Sequence, residues 1–163
     1  LSSSSAASDV YKRQVRVLMN WDQRFLDLAQ HISLWSKDPS TQVGAVAVRD
    51  RRILATGYNG FPRGIADTQI HLENRETKLL RTVHAEANIV AQASRHGVSL
   101  EDAWIYIWPF LPCASCCTLL MQAGVSRIVV PDRPIPDRWK DSFSTSVDLL
   151  KEAGITLFAL PEY

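Results

Sequence analysis

His84-Ala85-Glu86 and Pro112-Cys113-Ala114-Ser115-Cys116, with 28 residues between His84 and Cys113, carry the reactive side chains of this 163-residue chain. One imidazole and two thiolates form a soft-to-borderline donor set that suits a tetrahedral Zn²⁺ and leaves one position open for water. A closed structural site would need a fourth protein ligand. An open site lowers the pKa of its water to about 7 and so provides hydroxide at neutral pH. Glu86, two residues from His84, is the candidate proton carrier, acting first as base and then as acid. Cys117 is expected in the core, because successive helical side chains point about 100° apart and Cys116 already faces the metal.

Taken alone, C-x-x-C suits a redox pair or half of a structural zinc site, and H-x-E is common by chance. Together, with Pro112 before the first cysteine, they match the H-x-E…P-C-x-x-C pattern of zinc nucleobase deaminases. Hydroxide would attack the ring carbon that bears the exocyclic amine. Ammonia is a poor leaving group unless protonated, so Glu86 would take a proton from water and return protons to the ring nitrogen and the amine.

Composition is consistent with an enzyme acting on small molecules. The formal charge of +1 hides no basic block that would track a nucleic-acid backbone, so a nucleic-acid partner is not expected. No run of eighteen apolar residues suggests a membrane span. Three cysteines, two of them assigned to metal, leave no disulfide framework and point to a reducing cytoplasm. The Ser-rich stretch Leu1 to Gln14 has no amphipathic period and no long apolar centre of a signal peptide. It resembles translated adapter read-through, so residues 1–18 are expected to be a non-native or disordered tail with the native start at Met19. Residues 19–163 are expected to be one domain, with 15 basic and 16 acidic residues.

Periodicity places the motifs on elements. Phe25, Leu28, Ala29, Ile32 and Trp35 predict an amphipathic helix from Trp21 to Trp35. Val43 to Val48 and Ile53 to Tyr58 predict a hairpin turning through Arg49-Asp50-Arg51-Arg52. A charged segment from His71 to Arg81 has some helical character. Further helices are expected over 86–94, 114–123 and 143–153, the last two closed by Gly124 and Gly154. Strands are expected over 104–108, 125–130 and 155–159. The order αββαβαβαβ predicts an α/β fold, a three-layer α/β/α sandwich around a five-stranded mixed sheet. Both metal motifs fall at helix starts, where positive partial charge favours thiolates.

Two further runs, Ser36-Lys37-Asp38-Pro39-Ser40-Thr41-Gln42-Val43-Gly44-Ala45 and Gly57-Tyr58-Asn59-Gly60-Phe61-Pro62-Arg63-Gly64, together with the zinc motifs, resemble the deoxycytidylate (dCMP) deaminase family over about residues 21–157. The resemblance implies a cytidine-deaminase-like fold that converts dCMP to dUMP and ammonia, feeding thymidylate synthesis. It implies His84, Cys113 and Cys116 as ligands of Zn²⁺, Glu86 as proton shuttle and Asn59 as a partner of the deoxyribose, since an amide can donate or accept. Lys37, with Ser36 and Arg63, is the candidate 5′-phosphate site; solvated loop charge is the alternative for Lys37 and Arg63. Ala85 completes the expected substrate contacts. A homo-oligomer, hexameric in the family, with dCTP and dTTP as allosteric effectors, is also implied.

Trp108 and Phe110 would wall the pyrimidine or pack in the core. Gly44 permits either a close approach of the base or tight packing of the strand start. His71 is a solvated loop histidine or a ligand for a second metal. Three other readings remain open: deamination of another substrate (cytidine, dCTP or, against the lack of a basic groove, an adenosine in tRNA), a catalytically silent zinc protein that senses nucleotides, and a purely structural zinc module.

Overall fold

The structure, a computed structural model, describes residues 20–161. The segment 1–18 set apart in the sequence lies outside the described residues. Helix α1 (Trp21–Ser33) is followed by the hairpin β1 (Gly44–Arg49) and β2 (Arg52–Tyr58). Two short helices, α2 (Gln69–Glu73) and α3 (Arg75–Arg81), lead into α4 (Ala85–Arg95) and β3 (Trp104–Trp108). Then come α5 (Ala114–Gln122), β4 (Arg127–Pro131), a 3₁₀ turn (Asp137–Trp139), α6 (Lys140–Glu152) and β5 (Thr156–Leu160).

The strands form one mixed five-stranded sheet in the order β2-β1-β3-β4-β5. β1 is antiparallel to both β2 and β3, whereas β3, β4 and β5 run parallel. Period-2 alternation sends side chains to two buried faces, because both faces are covered by helices. Ala45, Ala47, Ile105, Ile107, Ile128 and Val130 face one core with Ile89, Cys117, Leu120 and Leu150. Val46, Val48, Tyr106 and Val129 face the other, against Phe25, Leu26, Ala29 and Ile32 of α1. The predicted three-layer sandwich therefore forms, and Cys117 is core.

Helix and strand ends shift for local reasons. α1 stops at Ser33 because the amides of Leu34, Trp35 and Ser36 tighten onto carbonyls three residues back. Gly124 and Gly154 take positive φ after α5 and α6, as expected. The next amides, of Val125 and Ile155, reach back to the carbonyls of Leu120 and Leu150. Those residues close helices, so β4 and β5 begin at Arg127 and Thr156. α6 starts at Lys140, earlier than expected, behind the 3₁₀ turn.

Two contacts fix the layers. The buried Tyr106 hydroxyl donates to Asp22 Oδ1 at 2.7 Å, and Arg127 Nη2 donates to Asp22 Oδ2 at 3.3 Å. Burial and the Asp22 carboxylate both push the Tyr106 phenol above its ordinary pKa. A β-carbon on Gly44 would overlap the Ala29 carbonyl oxygen and the Ser33 amide nitrogen. Close packing of α1, of the two readings of Gly44, is therefore the one the structure shows.

Candidate active site

His84 is the N-cap of α4 and Cys113 the N-cap of α5, and neither side chain spends itself on a capping hydrogen bond. Both remain directed at a common point. His84 Nδ1 lies 3.4 Å from Cys116 Sγ and 3.5 Å from Cys113 Sγ. Metal–sulfur and metal–nitrogen distances of about 2.3 and 2.05 Å at a tetrahedral angle imply an N···S separation of about 3.6 Å, so the donor set fits zinc. All three donor atoms lie within 4.8 Å of one another, and among the described residues no other His, Cys, Asp or Glu cluster does so.

Neighbouring elements hold these turns in place. Val83, the residue before His84, pairs with Gly60 through two backbone hydrogen bonds of 2.8 and 3.1 Å. α6 braces the cysteine turn: Ala114 N donates to Ser142 Oγ at 3.1 Å, and Ser146 Oγ donates to the Pro112 carbonyl at 2.8 Å.

Glu86 sits in the first turn of α4 and is buried. Burial pushes its carboxyl above the ordinary carboxylate range, with the His84 imidazole pulling the other way. Hydrogen bonds from Cys116 and His84 hold the Cys113 thiol below its ordinary pKa. Cys116 is pushed up by Cys113 and by burial, while the hydrogen bond to Cys113 raises His84. A cation held between the two sulfurs would favour the thiolate form of both.

The cavity beside this cluster holds about 280 Å³, near the lower end of small-ligand sites at about 300–1,000 Å³. Glu86, His84, Cys113 and Ala85 line it, as does Asn59. The Asn59 carboxamide is already engaged: Oδ1 accepts from Val43 N at 2.8 Å and Nδ2 donates to the Thr41 carbonyl at 2.9 Å. One N–H and one lone pair remain for a ligand. Phe110, Trp139 and Phe143 form an aromatic wall with centroids 5.1 to 6.4 Å apart. Phe110 thus faces the cavity as one of its two readings had it. Trp108 instead packs against the α1 core and carries Arg133 over its ring at 4.8 Å.

The three residues expected at the phosphate do not line this cavity. Ser36 is buried with its hydroxyl donating to the Asn59 carbonyl at 2.8 Å. Lys37 pairs with Asp67 at 2.8 Å on the surface, and Arg63 lies in the loop before α2. Arg75, Lys78 and Arg138 are the cations that do line it. Lys78 Nζ donates to Asp38 Oδ1 at 2.9 Å and to Ser40 Oγ at 3.0 Å, buried despite its charge. No motif marks these three residues, since α3 and the 3₁₀ turn reach the cavity only through the tertiary fold. His71 joins no metal cluster among the described residues; its Nδ1 meets Thr68 Oγ1 at 2.8 Å and Arg81 Nη1 at 3.2 Å.

A metal-ready His-Cys-Cys set beside a buried carboxyl, at helix starts on one side of a mixed sheet, defines a hydrolase of the nucleobase-deaminase type. Residues 19–131 match the family model described as the cytidine and deoxycytidylate deaminase zinc-binding region. The chain is 37% identical to an uncharacterized deaminase in the luxG 3′ region of Aliivibrio fischeri, over 89% of this chain and 97% of that one. It is 31% identical to mouse deoxycytidylate deaminase, over 91% of this chain and 84% of that one. Its fold is similar to that of the dCMP deaminase of cyanophage S-TIM5, solved in complex with dCMP and dUMP, at 23% identity and a TM-score of 0.69, covering 85% and 95% of the two chains. The chain belongs to the cytidine and deoxycytidylate deaminase family, and it is a hydrolytic deaminase. No helix among the described residues is long and apolar enough to cross a membrane.

Proposed function

We propose that the protein hydrolyses dCMP to dUMP and ammonia and so supplies the precursor of thymidylate. The observation that carries this reading is the His84-Cys113-Cys116 donor set at zinc spacing beside the buried Glu86. Zn²⁺ held by these three residues would supply a water of pKa near 7. Glu86 takes a proton from the attacking water and delivers it to the ring nitrogen. It then moves the second proton to the exocyclic amine, so that the new C–O bond stays and ammonia leaves as the C–N bond breaks. A carboxyl raised by burial suits both transfers, because it takes a proton more readily than an exposed carboxylate does.

The remaining Asn59 N–H and lone pair are suited to the deoxyribose hydroxyl, and Ala85 and the Phe110-Trp139-Phe143 wall to the base. Arg75, Lys78 and Arg138 take the 5′-phosphate in place of Ser36, Lys37 and Arg63, because a phosphate needs cations that line the same cavity. Named relatives such as mouse deoxycytidylate deaminase support the monophosphate over the nucleoside. The proposal extends to one catalytic domain over residues 19–163, to the cytoplasm, where ligand thiols stay reduced, and to a homo-oligomer responding to dCTP and dTTP.

Ammonia release from dCMP, deoxycytidine, dCTP and cytidine, with Glu86→Ala as control, tests the reading. Turnover highest on dCMP and lost in the control supports it; no turnover on any of the four, despite one bound zinc per chain, defeats it.

A further inference from the structure

A second cavity adjoins the candidate active site, and Ser40, Thr41, Phe110 and Arg138 line both. These four residues are the partition. Three of them are fixed from behind. Ser40 and Thr41 donate their amides to Asp38 Oδ1 at 2.7 and 3.0 Å, the Thr41 carbonyl accepts from Asn59, and Phe110 packs on Trp139 and Phe143. Arg138 is held more lightly: Nη2 donates to Thr41 Oγ1 at 3.2 Å, and its guanidinium lies 4.5 Å from the centre of the Trp139 ring. One side-chain hydrogen bond therefore closes the partition at this point.

Beyond it, the second cavity presents Arg133, stacked over Trp108, together with Gln30 and Gln42. A guanidinium and side-chain amides are donors suited to phosphate oxygens. The first cavity is small, and Arg138 is the one of its three lining cations that also lines the second.

We propose that Arg138, drawn against Thr41, sets the length of the 5′ group that the site accepts: it meets the phosphate of a nucleoside monophosphate and bars a β-phosphate from the Arg133 pocket behind it. This rests on the dCMP reading above. Arg138 is thus a specificity-determining residue, and the second cavity is a dormant subsite for a nucleoside diphosphate.

The experiment compares kcat/KM for dCMP and dCDP in the wild type, Arg138→Ala, Thr41→Val and the Arg138→Ala/Arg133→Ala double variant. Arg138→Ala is expected to lower the dCMP value by about tenfold or more, the scale of one charge-assisted hydrogen bond, and to raise the dCDP-to-dCMP ratio by about tenfold. Thr41→Val, which removes the latch and keeps the charge, is expected to raise the same ratio. Adding Arg133→Ala is expected to cancel the gain. An Arg138 that only binds phosphate would lower both substrates equally, and an unchanged ratio in Arg138→Ala and Thr41→Val overturns the proposal. So does a gain that survives Arg133→Ala, or a wild type that takes dCDP as well as dCMP. Should Arg138→Ala fail to fold, the Thr41→Val ratio decides alone. A wild type inactive on every cytosine nucleotide defeats the dCMP reading itself, and this inference with it.

Discussion

Gly57 in β2 lies so close under Ala85 in α4 that a β-carbon at Gly57 would overlap the Ala85 carbonyl oxygen. The helix that begins with His84 and carries Glu86 therefore rests directly on the strand backbone. The residues that follow Gly57 tie the same helix start in place: the Tyr58 carbonyl accepts from Asn88 Nδ2 at 2.7 Å, and Gly60 pairs with Val83. Gly-Tyr-Asn-Gly is in this sense a mounting for the His84 turn, and its Asn59 also lines the cavity.

Gly57→Ala should accordingly cost about 1–3 kcal/mol or more, because the obstacle is backbone and cannot swing away. Urea unfolding measures it. The shift of α4 should also weaken zinc affinity, whereas a loss of stability with unchanged metal affinity would detach Gly57 from the site.

Glu86→Gln keeps the shape of the side chain and removes its proton-carrying role. kcat should fall by about 10²–10⁴-fold while zinc content stays at one per chain. Steady-state kinetics with metal analysis on the same sample checks both parts.

Cys116→Ser should lose zinc, since a hydroxyl is a poor replacement for a thiolate donor. In the wild type, free zinc at about 100 times its Kd should stabilise the fold by about 2.7 kcal/mol over the chelated protein. Thermal melts with and without chelator read this directly, and Cys116→Ser should show no such difference.

Asp38 and Lys78 form an ion pair with side chains only 11% and 7% exposed. Lys78→Met leaves the carboxylate without its partner and should cost about 3–5 kcal/mol. Burial tends to raise the Asp38 carboxyl, but the Lys78 hydrogen bond and the amides of Thr41 and Ser40 outweigh it and hold the value below normal. The stabilisation is therefore complete above the unfolded carboxylate pKa of about 3.9 and is lost as pH falls through the lower folded value. Unfolding free energies taken from pH 6 to pH 2 should show this acid limb in the wild type and lose it in Asp38→Asn.

Lys37→Ala should leave the preference for dCMP over deoxycytidine intact, because the Lys37-Asp67 pair is solvated and outside the cavity. A lost preference would return Lys37 to the phosphate site. Arg138→Ala should erode that preference in the same assay.

That His84, Glu86, Cys113 and Cys116 converge on one site could be read from sequence, because metal chemistry demands particular residue types at short spacing and helix starts present them together. The sheet, too, followed from local pattern: Val46 against Ala47 and Tyr106 against Ile105 alternate between two apolar faces, which only a strand covered on both sides tolerates. What sequence left undecided depends on distance in space. Lys37 and Lys78 are both lysines in charged, unremarkable surroundings, yet one pairs with Asp67 at the surface and the other is buried on Asp38 beside the cavity. That difference arises because α3 folds back across the turn at residues 38–41, a contact 40 positions apart that no local periodicity encodes. Arg138 and Trp139 likewise reach the site only because α6 packs against the cysteine turn. The candidate metal ligands and proton carrier were fixed by side-chain chemistry within short motifs, and the groups that line the rest of the cavity were decided by which loops the tertiary fold closes around it.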